Sequence, residues 1–139
     1  MSTPNILVRD YMKPLSVFFS PSTGIEEVVD QLVKNRVMGA PVLDENRKLV
    51  GFITEQDCIK QMLNDSYYST EHEVAGDIMR TDPFFIHPDV DIMSLAEQML
   101  NRRPKLYPVC EEGRIIGMIA RADVLRALSE FRRSSHNKV

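Results

Sequence analysis

The sequence predicts an α/β (α+β) fold built from two copies of one strand-helix-strand-strand-helix unit. Residues 8–63 align almost end to end with residues 75–128. Within each copy, apolar residues at helical spacing are followed by two short apolar runs joined by a polar turn. The only slip in the alignment is one residue, where Asp44-Glu45-Asn46-Arg47 faces the shorter turn Glu111-Glu112-Gly113-Arg114. An indel confined to a turn is what duplication of a folded unit leaves behind. Two copies of one unit tend to pack about a pseudo-twofold axis, and the crevices beside such an axis are natural small-molecule sites.

Each copy opens on a matched lead-in, Asp10-Tyr11-Met12 and Asp77-Ile78-Met79, followed by a short strand carrying Val17-Phe18 or Phe84-Phe85 and then Pro21 or Pro88. Ile25, Val28, Val29, Leu32 and Val33 lie on one face of a first helix, and Ile92, Leu95, Ala96, Met99 and Leu100 repeat the phase. Ser22 or Thr23 with Glu26, and Asp89 or Asp91, supply N-terminal capping signals. The strand pairs are residues 39–43 with 49–53, and residues 106–110 with 115–119. Pro41 and Pro108 lack an amide donor, which places each at a strand start, an edge or a bulge. A second helix follows, with Cys58, Ile59, Met62 and Leu63, or Val124, Leu125 and Leu128, facing inward. The expected boundaries are an N-terminal tail 1–7, a first unit 8–63, a linker 64–74, a second unit 75–131 and a C-terminal tail 132–139.

A unit of about 60 residues buries too little surface to be robust alone, so the halves are expected to share a core. The repeat is too long for a solenoid of ~20–50-residue units. Hydrophobic residues make up 43% and charged residues 27% of the chain, ordinary for a globular protein. No apolar run approaches the ~18 residues of a membrane span, and the first residues form no signal segment, so a cytoplasmic location without membrane association is the expectation. A net charge of −3 with interspersed signs leaves no footprint for nucleic acid as primary ligand. Arg132, Arg133 and Lys138 read as a solvated tail. Cys58 and Cys110 lack CxxC spacing and read as buried free thiols. Met38, Met62, Met99 and Met118 read as core fillers. His72, His87 and His136 have no partner at metal-ligand spacing, so no metal site is expected, and no nucleophile elbow or Walker loop points to catalysis.

The order of elements, with Gly51-Phe52-Ile53-Thr54-Glu55-Gln56-Asp57 and Gly117-Met118-Ile119-Ala120-Arg121-Ala122-Asp123, resembles the cystathionine-beta-synthase (CBS) domain, usually found as a tandem pair called a Bateman module. The likeness covers nearly the whole chain. It implies regulatory binding of an adenosine-containing ligand (AMP, ADP, ATP or S-adenosylmethionine) in clefts between the copies, no catalytic cofactor, signalling to a protein partner, and a flat homodimer. By position it implies that Asp57 and Asp123 accept hydrogen bonds from ribose hydroxyls, since a carboxylate can engage a vicinal diol with both oxygens. Thr54 would bond ribose or phosphate. Gly39-Ala40-Pro41 and Leu106-Tyr107-Pro108 would line an adenine slot, with Val17-Phe18 and Phe84-Phe85 as its opposite wall. Ala120 departs from the family's Ser or Thr and loses one hydrogen bond, worth about 0.5–1.5 kcal/mol. The neighbouring Arg121 could meet a phosphate instead. Two unequal sites are expected.

Several of these residues also have a plain structural reading. Thr54-x-x-Asp57 is a helix-capping arrangement as well as a ligand motif. Tyr107 and Phe84-Phe85 either face a ligand or pack in the core. Arg36 and Arg103 either reach phosphate or end a helix in solvent. The alternative function is a ligand-free structural or dimerisation module acting as a protein-interaction adaptor.

Overall fold

The computed structural model describes residues 6–68, 73–101 and 104–137. His72, Arg103, Lys138 and the side chain of His136 lie outside the described residues. The chain divides into two compact units, Leu15–Pro83, and Met1–Pro14 joined with Phe84–Val139.

In the unit Leu15–Pro83, helix α1 (Ile25–Asn35) precedes strands β1 (Gly39–Leu43) and β2 (Leu49–Thr54), followed by α2 (Glu55–Tyr68) and the single turn α3 (Ala75–Ile78). The strands form an antiparallel pair with Pro41 opposite Phe52 and an irregularity after Val42. The expected strand before α1 is one parallel bridge, Phe19 to Val42. Phe19 N–H donates to the Pro41 carbonyl (3.0 Å), and Leu43 N–H donates to the Phe19 carbonyl (2.8 Å). Pro41 therefore turns its amide-less side away from the hairpin partner, so the missing donor breaks no hairpin bond. At the outer edge of β2, Arg80 and Phe52 exchange backbone bonds of 2.8 and 3.0 Å.

The other unit repeats this plan with α4 (Ile92–Met99), β3 (Leu106–Glu111), β4 (Arg114–Ala120) and α5 (Arg121–Asn137). Its hairpin is antiparallel with Pro108 opposite Met118, and Ile86 bridges Val109 where a strand was expected. Glu112 and Gly113 both have positive φ (54° and 79°), as a two-residue primed hairpin turn requires. The lead-in comes from the chain's beginning: a 3-10 turn over Val8–Asp10, then Lys13, which exchanges backbone bonds of 2.8 and 2.9 Å with Met118. The lead-in of each sequence copy thus completes the hairpin of the other copy.

Each unit has its own core. Phe19, Ile25, Val28, Leu32, Ala40, Val42, Ile53, Cys58 and Ala75 form one, and Val8, Ile86, Ile92, Leu95, Tyr107, Val109, Ile119, Val124 and Ala127 the other. Burying each large aliphatic side chain contributes about 1.5–3 kcal/mol. The inward helical stripes are narrower than the periodicity suggests. Val33, Leu100, Ile59, Met62, Leu63 and Leu125 are exposed, because one helix face of limited width meets each small hairpin. Met38 is exposed too, whereas Met99 packs against the core. Cys58 and Cys110 are buried free thiols.

Neither Ser22 nor Thr23 caps α1. Its N-cap is Gly24 without a side-chain bond, and the Glu73 carbonyl accepts from Ile25 N–H (3.1 Å). In the other unit the Ile6 carbonyl accepts from Ile92 N–H (2.7 Å), and Asp91 caps α4 by accepting from Met93 N–H (2.7 Å). Arg36 ends α1 in the left-handed conformation, φ 53°, with its N–H on the Leu32 and Val33 carbonyls. Helix α2 runs to Tyr68 and α5 to Asn137, past the expected boundaries at 63 and 131. Among the described residues, no helix is long and apolar enough to cross a membrane.

Candidate functional site: the paired strand-to-helix turns

In each unit the second strand runs directly into the second helix, and an acid three residues into that turn folds back on it. Asp57 Oδ2 accepts from Thr54 N–H (3.0 Å) and from the Thr54 hydroxyl (2.8 Å), while Asp57 N–H donates to Thr54 Oγ1 (3.2 Å). This is a reciprocal cap at the start of α2. Asp123 Oδ2 accepts from Ala120 N–H (2.8 Å), which is half of the same box. The capping reading of Thr54-x-x-Asp57 is therefore realised. It does not exhaust the acids, because the described contacts to Asp57 all fall on Oδ2.

Each acid also meets a cation that sequence reasoning did not single out. Arg80 Nε lies 3.5 Å from Asp57 Oδ2, and Lys13 Nζ lies 3.5 Å from Asp123 Oδ1. Arg126 Nη2 is also 3.5 Å from that Asp123 oxygen, and its guanidinium lies over the Tyr11 ring, 5.1 Å from the centroid. The signal was available: Lys13 and Arg80 each follow the matched methionines Met12 and Met79, and both are basic. The Asp123 side chain is 3% exposed and that of Asp57 18%.

The glycine that opens each motif makes this placement possible. A Cβ on Gly117 would stand 2.7 Å from the Lys13 carbonyl oxygen, and one on Gly51 would stand 3.0 Å from the Arg80 carbonyl oxygen. Only the missing side chain lets the lead-in backbone lie close enough to pair with β2 or β4.

The remaining predicted site residues divide between core and surface. Gly39, Ala40 and Pro41 are buried, as are Tyr107 and Pro108, with Leu106 half-buried. Tyr107 is a core residue beside Val109 and Ile119, so its ring packs internally and is not presented for stacking on a base. The alternation of β3 accounts for this: Tyr107 lies opposite Ile119, itself a core residue. Val17 packs against the core of its unit, while Phe18, Phe84 and Phe85 are exposed. The Arg47 guanidinium lies over the Phe18 ring at 5.3 Å. Arg121 stands exposed at the first position of α5, its N–H on the Lys105 carbonyl (3.1 Å).

His87, Asp89 and Glu111 each offer an atom within 4.8 Å of the others, a spacing that could hold a metal ion. Arg9 already occupies this cluster, with Nε 2.7 Å from Asp89 Oδ1 and Nη2 3.4 Å from Glu111 Oε2. Its hydrogen bond holds the Asp89 carboxyl below the usual carboxylate range. His87 Nδ1 accepts from Asp89 N–H (3.1 Å), so the imidazole nitrogen facing the acids is engaged. The group is a surface ion-pair cluster in which one guanidinium serves two carboxylates.

A repeated helix, hairpin and helix with an acid anchored at each strand-to-helix turn defines a tandem pair of small α+β modules. Residues 8–64 and 75–130 each match the CBS domain, and the chain belongs to the CBS domain family. It is similar to protein MJ1225 of Methanocaldococcus jannaschii, 27% identical over 121 residues, and to the chloroplastic CBS domain-containing protein CBSX2 of Arabidopsis thaliana, 27% identical over 158 residues. These alignments take in 87% and 94% of this chain but 42% and 66% of the relatives' lengths, so the chain spans less than two thirds of either relative. The crystal structure of CBSX2 in complex with AMP superposes with a TM-score of 0.79 at 30% identity, covering 91% of this chain and 98% of that one. The CBS domain pair of protein MJ0100, solved with 5′-methylthioadenosine and S-adenosyl-L-methionine, shares the fold at a TM-score of 0.76 and 24% identity, over 91% of this chain and 98% of that one.

Proposed function

We propose that this CBS pair is a non-catalytic regulatory module that binds an adenosine-containing ligand through its strand-to-helix turns and passes occupancy to a protein partner. The observation that carries the reading is the repeated anchoring of Asp57 and Asp123. In both units the turn fixes one carboxylate oxygen on a backbone N–H, so the acid is held in one orientation before any ligand arrives. The second oxygen, which meets Lys13 and Arg126 in Asp123 and carries none of the described contacts in Asp57, is then available to a sugar hydroxyl. AMP in the CBSX2 crystal structure supports adenosine nucleotides as the ligand class. A ligand shifts the balance between two arrangements of the module only by its differential affinity for them, and that difference is the signal a partner would read.

The same reading takes the module as a homodimer in the cytoplasm. Exposed Ile59, Met62 and Leu63 on α2, and Leu125 on α5, are apolar side chains that a second copy would cover. Light scattering at micromolar concentration tests the dimer, and a monomer there removes it.

Calorimetric titration with AMP, ADP, ATP and S-adenosylmethionine tests the function. Heat with at least one, weakened by Asp57→Ala or Asp123→Ala, is the expected result; silence with all four overturns the reading. The second reading, a ligand-free adaptor, is favoured by the absence of a hydroxyl at Ala120 and by the deep burial of Asp123. Tight self-association together with no nucleotide response would select it.

A further inference from the structure

We infer that Tyr11 is the positioning residue of the Asp123 turn: it holds the Arg126 guanidinium off the acid and so keeps one carboxylate oxygen open to a ligand hydroxyl. The inference rests on the adenosine reading above and names what governs one of its two turns.

Arg126 lies three positions after Asp123 on α5, a spacing at which an arginine reaches an acid on the same helix face. A charge-assisted pair closes to ~2.7–2.9 Å, yet Arg126 Nη2 stands 3.5 Å from Asp123 Oδ1. The same nitrogen donates to the Tyr11 carbonyl (3.3 Å), and the guanidinium lies over the Tyr11 ring, 5.1 Å from its centroid. Tyr11 is itself fixed at three points. Its N–H donates to the Val8 carbonyl (3.0 Å), its side chain packs against the core of the unit, and its hydroxyl donates to Glu130 Oε2 (2.6 Å). Glu130 lies about one turn beyond Arg126, so the ring is held along α5 and draws the guanidinium back from the carboxylate.

The arrangement belongs to one copy of the repeat. Ile78, Lys60 and Asn64 stand where Tyr11, Arg126 and Glu130 do, and an isoleucine has neither ring nor hydroxyl to offer. Ile78 packs against the core of its own unit, so packing at this position does not call for a tyrosine. Loss of the ring and hydroxyl frees the Arg126 side chain, 48% exposed, to close on Asp123, whose side chain is 3% exposed. A ligand hydroxyl then has to break a closed ion pair. The expected penalty is that of one partly exposed pair, about a two- to fivefold loss of affinity. The Tyr11 carbonyl persists in every variant, so the ring and the hydroxyl are what substitution removes.

The test is calorimetric titration of the full chain with AMP in an Asp57→Asn background, which keeps an acceptor for the Thr54 N–H and leaves Asp123 as the acid that is read. In that background Tyr11→Ile is compared with Arg126→Gln and with the two combined. Tyr11→Phe, which keeps the ring, is the milder variant, and thermal unfolding verifies that each variant folds. The expected result is AMP affinity lowered about two- to fivefold by Tyr11→Ile, less by Tyr11→Phe, and not at all by Tyr11→Ile once Arg126→Gln is present. A tyrosine that served only the fold would lower affinity equally with and without Arg126. That outcome, an affinity unchanged by Tyr11→Ile, or loss of AMP binding in Asp57→Asn alone overturns the inference and leaves the adenosine reading standing. No heat from AMP with the natural protein also overturns the inference, and silence of ADP, ATP and S-adenosylmethionine as well overturns both.

Discussion

Gly117 lies directly beneath the Lys13 carbonyl, 2.7 Å from where its Cβ would be. The lead-in can pair with β4 only because that position has no side chain. Gly117→Ala is therefore expected to push the two backbones apart and lower stability by about 1–3 kcal/mol, the usual range for overpacking. Gly24 meets nothing within 4 Å, so Gly24→Ala is the matched control and should stay within about 0.5 kcal/mol of the natural protein. Urea unfolding of both variants is the measurement, and equal midpoints would contradict the packing account.

Thr54 and Ala120 differ by one hydroxyl on otherwise equivalent turns. Thr54→Ala should cost about 1 kcal/mol, the typical value of an N-cap side chain. Ala120→Thr should complete the half-box at Asp123 and raise stability by about 0.5–2 kcal/mol. Opposite shifts of the thermal midpoint are the expected readout; two shifts of the same sign would show that the turns are not equivalent.

Asp123 is the only charged side chain buried among the described residues. Removing it strands the Ala120 N–H and leaves Lys13 and Arg126 facing each other without a counter-charge. Asp123→Ala is expected to destabilise by about 1–3 kcal/mol. The cationic ends of its ion pairs, Lys13 and Arg126, are solvent-exposed and held at 3.5 Å, so the pairs themselves add little to that figure. Chemical denaturation of the variant in low and high salt checks it, and the loss should persist in salt because the orphaned N–H is unaffected by screening.

The burial of Cys110 pushes its thiol up from 9.0 to about 11. A group whose pKa is higher folded than unfolded binds its proton more tightly in the native state, so its contribution is fully present below pH 9 and is lost as pH rises towards 11. The natural protein should therefore lose more stability between those pH values than Cys110→Ala does. Cys58, raised by burial first and then by Asp57 and Glu55, acts in the same direction and remains in both proteins. Identical pH profiles for the two proteins would rule out this contribution.

The elements that follow local rules could be read before any coordinates. The helical phase of Ile25, Val28 and Leu32, the paired apolar runs of the hairpins and the Glu112-Gly113 turn all depend on neighbours in sequence. The failures are non-local. Ser22 and Thr23 look like caps for α1, but the Glu73 carbonyl takes the first helical N–H across nearly fifty positions of chain. Ile59 and Leu125 fall at apolar helical positions, yet whether such a position is buried depends on how wide the opposing hairpin is. Lys13 and Arg80 escaped notice because lead-in and motif within one copy do not meet; each lead-in meets the motif of the other copy.

That exchange also orders events on the ribosome. The unit Leu15–Pro83 is contiguous and can close as soon as Arg80 has emerged to flank β2. Val8, wholly buried against Ile119 and its neighbours, is made before that unit and must wait for β4 and α5 before its partners exist. Residues made ahead of the unit Leu15–Pro83 are thus reserved for structure that closes after it, and a clip between Val8 and Lys13 would injure the unit that includes β3 and β4 while sparing the one it adjoins.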